Sequence, residues 1–226
     1  MLQGISAVAF DLDGTLYPNY RLNIRLLPFL CRHLRLIAAF GRARNIIRDE
    51  QEQASSYHQP DFYNYQAQIV ARLLNTEPEQ FKEKIDRLIY RGWEPFFSRI
   101  KLFPHVREFL AELKTAGLKL GLLSDFPPEI KLKNLGLNGY WNTVLCSESI
   151  GALKPAIRPF AELADALCCP PEQILYVGNS HRYDVEGARR AGMKTALFTH
   201  WFMYSGGNKA DFTFHSYRQL RDFVLQ

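Results

Sequence analysis

The 226-residue chain has only four cysteines, Cys31, Cys146, Cys168 and Cys169. They are too few to staple a chain of this size, none has metal-site spacing, and the adjacent Cys168–Cys169 pair does not readily close a ring. Reduced thiols in a cytoplasmic protein are the expectation. No run of about 20 mostly uncharged apolar residues occurs, as a spanning helix would need. The most apolar region, Leu22 to Phe40, is interrupted by Arg25, Arg32, His33 and Arg35. Met1–Phe10 has no basic residue ahead of its apolar stretch and does not read as a secretion signal. His181 and His200 lack a second histidine at ligand spacing and are not read as metal ligands. Low-complexity tracts and repeats are also missing, and with 47% apolar residues the chain is not a disordered one.

Acidic residues are absent from one long segment. Residues 21–48 hold Arg21, Arg25, Arg32, Arg35, Arg42, Arg44 and Arg48 and no Asp or Glu. The net charge is +5, and residues 17–100 carry 13 basic and 9 acidic side chains, so the excess is local. The plain reading is a solvated helix face. The functional readings are recruitment of an anionic substrate, or contact with a membrane surface through a helix whose Leu30, Leu34 and Ile37 lie opposite Arg32 and Arg35. Nucleic acid is not an expected partner, because no recognition module accompanies the charge.

Ile5–Phe10 reads as a buried strand running into a turn. From Tyr17 to Ile100 the period becomes helical. One helix is expected to start at Pro28 and end before Gly41, a second to span Ala43–Tyr57 and a third Phe62–Leu74. A fourth follows a Thr76/Glu79 capping box and stops at Pro95. Strand–helix alternation then resumes. Strands are expected at Leu118–Leu123, Thr143–Cys146, Ile174–Val177, Thr195–Phe198 and Phe212–Phe214. Helices are expected at Val106–Ala116, Glu129–Leu135, Pro155–Cys168, Val185–Ala191 and Tyr217–Val224. Such units imply an α/β fold, a Rossmann-like three-layer core around a parallel sheet. The helical block reads as an insertion: core at 1–16 and 101–226, cap at 17–100, hinges near Tyr17–Tyr20 and Gly92–Lys101. Trp93, Phe96, Phe97 and Phe103 are read as hinge packing.

Ligands of open parallel sheets bind beyond the carboxyl ends of the strands. There the chain places Asp11, Asp13, Gly14 and Thr15 after the first strand and Ser124 and Asp125 after the second. Lys154 follows the third, and Gly178, Asn179, Ser180 and Asp184 follow the fourth. A phosphate ester arriving there would find donors in Ser124, the turn containing Asp125, and Lys154. It would find a nucleophile in a carboxylate and an acid for the leaving oxygen in a second carboxyl two residues along. Paired carboxylates facing a dianion require a hard cation, which Mg²⁺ fits. Singly, Ser124, Lys154 and Asp184 are ordinary cap and surface residues; their weight comes from position.

The segment Asp11-Leu-Asp-Gly-Thr-Leu-Tyr17 resembles the first motif of the haloacid dehalogenase superfamily. Leu122-Leu-Ser124 resembles its second motif, Lys154 before Pro155 its third, and Tyr176-Val-Gly-Asn-Ser-His-Arg-Tyr-Asp184, continuing to Met193, its fourth. The likeness covers residues 5–17 and about 102–200. It implies that Asp11 is a nucleophile that becomes phosphorylated, and that Asp13 is general acid and then base. Ser124 and Lys154 would hold phosphoryl oxygens, and the inserted helices would be a C1-type cap. Mg²⁺ would be bound by Asp11, the Asp13 main-chain carbonyl, Asn179 and Asp184. Asn179 departs from the family, which usually has Asp there, and implies weaker metal affinity. The implied activity is that of a phosphomonoester hydrolase acting on a small anionic phosphorylated metabolite. A phosphomutase using the same residues, or a non-catalytic binding protein working through its basic cap, are the alternatives. A dehalogenase is disfavoured, since those enzymes lack the second acid that Asp13 supplies.

Overall fold

The computed structural model describes residues 2–54, 57–97, 100–199 and 210–226, so His200 lies outside the described residues. Its centre is strand β1 (Ala7–Phe10), buried along its whole length. Period-two alternation sends Val8 and Phe10 to one face and Ala7 and Ala9 to the other, and each pair joins a different buried cluster. Around β1 lie β2 (Lys119–Ser124), β3 (Thr143–Cys146), β4 (Ile174–Gly178), β5 (Lys194–Phe198) and β6 (Phe212–Phe214), in the order β3-β2-β1-β4-β5-β6. All five pairings are parallel, with Phe10 opposite Leu122 on one side and Val177 on the other. The chain moves outward from β1 through β2 to β3, then crosses to β4. The switch point therefore falls between β1 and β4, where such sheets open a crevice.

Helices α6 (Val106–Thr115) and α11 (Tyr217–Leu225) cover the Val8/Phe10 face through Phe109, Leu113, Tyr217 and Val224. On the other face, α9 (Ile157–Leu167) and α10 (Glu186–Arg190) pack Phe160, Leu163 and Ala188 on Ala7, Ala9 and Tyr176. The result is the expected α/β three-layer architecture. Two short helices complete this part, α7 (Glu129–Leu135) after β2 and α8 (Ser147–Ile150) after β3. All four cysteines are free thiols, and among the described residues no helix is long and apolar enough to cross a membrane.

Between β1 and α6 run α1 (Asn19–Arg32), α2 (Leu34–Gln53), α3 (Phe62–Leu74), α4 (Glu79–Ile85), a π-helical turn at Asp86–Tyr90, and α5 (Glu94–Phe97). The boundaries differ from expectation. Helix α1 runs through Pro28, which is exposed, and α2 runs through Gly41. The break falls at His33, whose φ of −121° and ψ of 25° leave the helix. A glycine costs a helix about 1 kcal/mol, less than α2 gains by burying Leu36, Phe40, Ala43 and Ile47 in one stripe. Leu34, read with Leu30 and Ile37 as one apolar helix face, is exposed at 61%, as are Ile24 at 67% and Leu27 at 57%. The capping box does not form: Pro78 precedes α4 and Thr76 donates instead to the carbonyl of Ala71. Pro95 lies at the start of α5 rather than stopping a helix. Helices α2 to α4 bury a cluster of their own, whereas Leu22, Leu26, Phe97 and Ile100 join the cluster on the sheet.

The arginine run splits in two. Arg21, Arg25, Arg32, Arg35 and Arg42 are exposed. Arg44, Arg48 and Gln51, on one face of α2 at i, i+4 and i+7, turn inward. Arg44 pairs with Glu148 of α8 and lies 3.4 Å from the Asp125 carboxylate. Arg48 reaches the same carboxylate at 2.9 Å and donates to the Lys154 carbonyl at 2.9 Å. The Gln51 amide both donates to and accepts from the backbone of Leu153. These arginines hold α2 onto the segments following β2 and β3. Removing one partner of a buried pair strands a charge and costs about 3–5 kcal/mol. Arg44→Ala is expected to lower the unfolding free energy by about that much in urea titrations, with exposed Arg42→Ala leaving the midpoint unmoved.

Candidate active site

The carboxyl ends of β1 and β4 converge on one ammonium. Lys154 stands 2.7 Å from Asp11 Oδ1 and 2.7 Å from Asp184 Oδ1, and donates to the Tyr176 hydroxyl at 3.2 Å. All four residues are almost fully buried. The second oxygen of Asp11 accepts from the Thr15 hydroxyl at 2.8 Å, and the Thr15 carbonyl is held at 2.7 Å by Tyr217 of α11. Gly14 has a φ of +91°, and a Cβ there would overlap the Asn179 side chain. Only glycine lets the turn after β1 close onto the turn after β4.

Burial lifts the Asp11 carboxyl to about 7; Lys154 pulls it down, while Asp184 and Asp13 push it up. Burial works in the opposite sense on Lys154, but Asp11 and Asp184 outweigh it and hold the ammonium well above its ordinary range. The lysine is a fixed positive charge at the carboxyl edge of the sheet, beside a carboxyl that burial pushes toward its neutral form.

Asp13 lies in the same turn, two residues on from Asp11. Lys131 of α7 contacts both its oxygens, at 2.7 and 2.5 Å, and Tyr17 donates to it as well. Neither Lys131 nor Tyr17 was expected from the sequence. Tyr17 sits four residues from Asp13, a local signal that was available. Lys131 is 118 residues away, and no spacing rule links the two.

Ser124, at the end of β2, is wholly buried and accepts from the Phe126 backbone N–H at 3.2 Å. Its neighbour Asp125 is occupied. One oxygen accepts the Lys154 backbone N–H at 3.1 Å, and the other faces Arg48 and Arg44. Burial alone would raise this carboxyl, but Arg44, Lys154 and Arg48 hold it below the usual range. The Asp125 side chain is thus a fixed anion that orients the lysine loop.

Asp184 Oδ2 accepts the backbone N–H groups of Asn179 and Ser180, at 3.1 and 2.9 Å, while its other oxygen faces Lys154. Asn179 Oδ1 lies 3.3 Å from the Thr15 hydroxyl, so the amide oxygen and Asp11 share one donor. Among the described residues no group of three or more His, Cys, Asp or Glu side chains is arranged to hold a metal. The oxygen donors gathered here are the Asp11 carboxylate and the Asn179 amide, both on the Thr15 hydroxyl, a set suited to a hard cation that keeps several waters. They fit a divalent ion, whose charge would offset the cost of keeping the buried Asp11 carboxyl ionised. The expected aromatic quartet packs together on the sheet cluster, Phe97 within it and Trp93, Phe96 and Phe103 against it, and Trp93 and Phe97 also line a cavity beside Lys131.

Three comparisons bear on this arrangement. The family model for haloacid dehalogenase-like hydrolases matches residues 5–192. A glyceraldehyde 3-phosphate phosphatase of Methanopyrus kandleri is 29% identical over 201 residues, covering 84% of this chain and 82% of that protein. A phosphoglycolate phosphatase of Salmonella typhi is 26% identical over 219 residues, covering 90% and 84%. Among solved structures, an L-2-haloacid dehalogenase superposes with a TM-score of 0.68 at 22% identity, over 98% of this chain and 99% of its own. That last likeness is one of fold.

Gly178 is the tightest joint in the site, since a Cβ there would overlap the Asp184 carboxylate. Gly178→Ala is expected to cost about 1–3 kcal/mol of stability. Gly139→Ala, whose Cβ would meet nothing within 4 Å, serves as the reference in the same urea titration.

Proposed function

The chain belongs to the haloacid dehalogenase-like hydrolases, and from that premise we propose that it is a phosphatase, hydrolysing a small-molecule phosphomonoester in two steps through Asp11. The observation that carries the reading is the Lys154 ammonium shared between Asp11 and Asp184, 2.7 Å from each. It fixes a buried carboxylate beside a permanent cation, which is what in-line attack on a phosphoryl group requires. The named relatives act on glyceraldehyde 3-phosphate and phosphoglycolate, and both support a phosphomonoester substrate.

In the first step an Asp11 oxygen bonds to phosphorus as the ester P–O bond breaks, and the leaving oxygen takes a proton from Asp13. In the second, Asp13 takes a proton from water, the resulting hydroxide attacks the phosphorus, and inorganic phosphate leaves Asp11 as it was. Lys154, Ser124 and the main-chain N–H of Asp125 hold the non-bridging oxygens. Lys131 and Tyr17, bonded to Asp13, set the direction of its carboxyl and hold its charge between steps. Asp13 also favours ester hydrolysis over halide displacement, since a departing halide needs no proton.

Magnesium would be held by Asp11, the Asp13 carbonyl and Asn179, and when bound it supplies charge neutralisation between phosphate and carboxylate. Asp184, whose oxygens hold the Lys154 ammonium and the backbone N–H groups of Asn179 and Ser180, would stand behind that set as a positioning residue. Residues 17–100 are the cap, held against the reaction edge by Arg44, Arg48 and Gln51.

Asp11→Asn is expected to reduce Mg²⁺-dependent phosphate release from p-nitrophenyl phosphate to background, and Asp13→Asn to slow it roughly 10²–10⁴-fold. Turnover retained in the Asp11 variant would reject it as nucleophile. Free alcohol plus inorganic phosphate as products, with no isomerised ester, separates a hydrolase from a mutase. MgCl₂ at about 100 times its Kd should stabilise the wild type by about 2.7 kcal/mol, read as a rise in Tm. Asp11→Asn should lose most of that rise, whereas an equal rise in the variant would remove Asp11 from the metal site.

A further inference from the structure

Beside the reaction edge, under α4 and α5, lies a cavity of about 480 Å³. Its wall is apolar and aromatic, built from Ile85, Ile89, Tyr90, Trp93, Phe97 and Phe126. Lys131 belongs to that wall and to the catalytic turn at once: its ammonium is 2.5 Å from Asp13 and 5.3 Å from the ring centroids of both Phe97 and Phe126. Phe126 in turn follows Ser124 by two residues. An ester whose leaving oxygen meets Asp13 therefore has this cavity as the space for its alcohol.

The charges that line the cavity limit what that alcohol can carry. Asp61, Asp86 and Glu129 stand in the lining with Lys82, Arg91 and Lys131, and two of those cations are already paired, Arg91 with Asp86 at 2.8 Å and Lys131 with Asp13 at 2.5 Å. A second phosphate or a carboxylate would meet three acids with Lys82 as its remaining cation. A polyhydroxylated chain would give up its water to a wall with few partners for it.

We propose that the substrates are phosphomonoesters of a bulky, uncharged, largely apolar alcohol, whose ring or hydrocarbon part fills this cavity. The proposal rests on the phosphatase reading and deepens it by naming the substrate class. In a hydrophobic pocket one added methylene is worth roughly 10–200-fold in kcat/KM, so a ring should be preferred strongly over a short polar chain.

The test compares 1-naphthyl phosphate with phosphoglycolate and glycerol phosphate, on the full chain with Mg²⁺. We expect kcat/KM for the naphthyl ester to lead by at least about tenfold. Ile130→Glu, at a wall position that is 41% exposed, should shrink that lead by at least about tenfold. Equal or better turnover of the two polar esters would overturn the proposal. A second readout separates the two readings: calorimetric titration of 1-naphthol into the same protein should give saturable binding that Ile130→Glu weakens. If no ester is hydrolysed but naphthol binds in this way, the phosphatase reading fails and the cavity assignment stands; if naphthol does not bind, the cavity assignment fails.

Discussion

Everything at the carboxyl edge of the sheet depends on one buried ammonium. Lys154 carries a single positive charge between two carboxylates, Asp11 from the turn after β1 and Asp184 from the turn after β4. Without it two anions would face each other in a dry crevice, and stranding buried charges costs several kcal/mol. The lysine therefore joins three loops that the chain visits far apart in sequence, and joins them at the switch point of the sheet. Its own loop is held in turn. The Lys154 backbone N–H is fixed by Asp125 and its carbonyl by Arg48, so a residue of α2 helps to place the charge that faces Asp11.

That coupling gives the insertion two distinct jobs. Arg44, Arg48 and Gln51 dock it through buried polar contacts, while its aromatic residues face a cavity next to Asp13. The docking residues and the cavity-lining residues of this block are different side chains. The exposed arginines of α1 and early α2, with Ile24, Leu27 and Leu34 among them, take part in neither.

Most of the sheet and the catalytic edge was legible in the sequence. Short apolar runs ending in chemistry-bearing turns located the six strands to within two residues, and put Asp11, Asp13, Ser124, Lys154, Asn179 and Asp184 after strand ends at one edge. The inserted helices were less legible. Pro28 and Gly41 are strong local signals of ends, but packing of the Leu36–Phe40–Ala43–Ile47 stripe outweighs both, and the true break at His33 carries no such mark. The fate of the arginines was legible only in part. Nothing in the spacing of Arg44 and Arg48 distinguishes a solvated face from a buried one, because their partners Asp125 and Glu148 lie some hundred residues on or nearly so. Lys131 was missed for the same reason: its role exists only once α7 has folded back on the turn after β1.

The most direct test of the central claim is chemical trapping of the reaction's covalent stage. A single turnover quenched in acid, then reduced with borohydride and digested, converts an acyl phosphate on an aspartate into homoserine, which peptide mass spectrometry locates. Phosphoryl transfer to Asp11 predicts that change at position 11 alone, only when substrate and Mg²⁺ were present, and not in Asp11→Asn. Phosphate release with no modified aspartate, or with the modification on Asp13 or Asp184 instead, would contradict it.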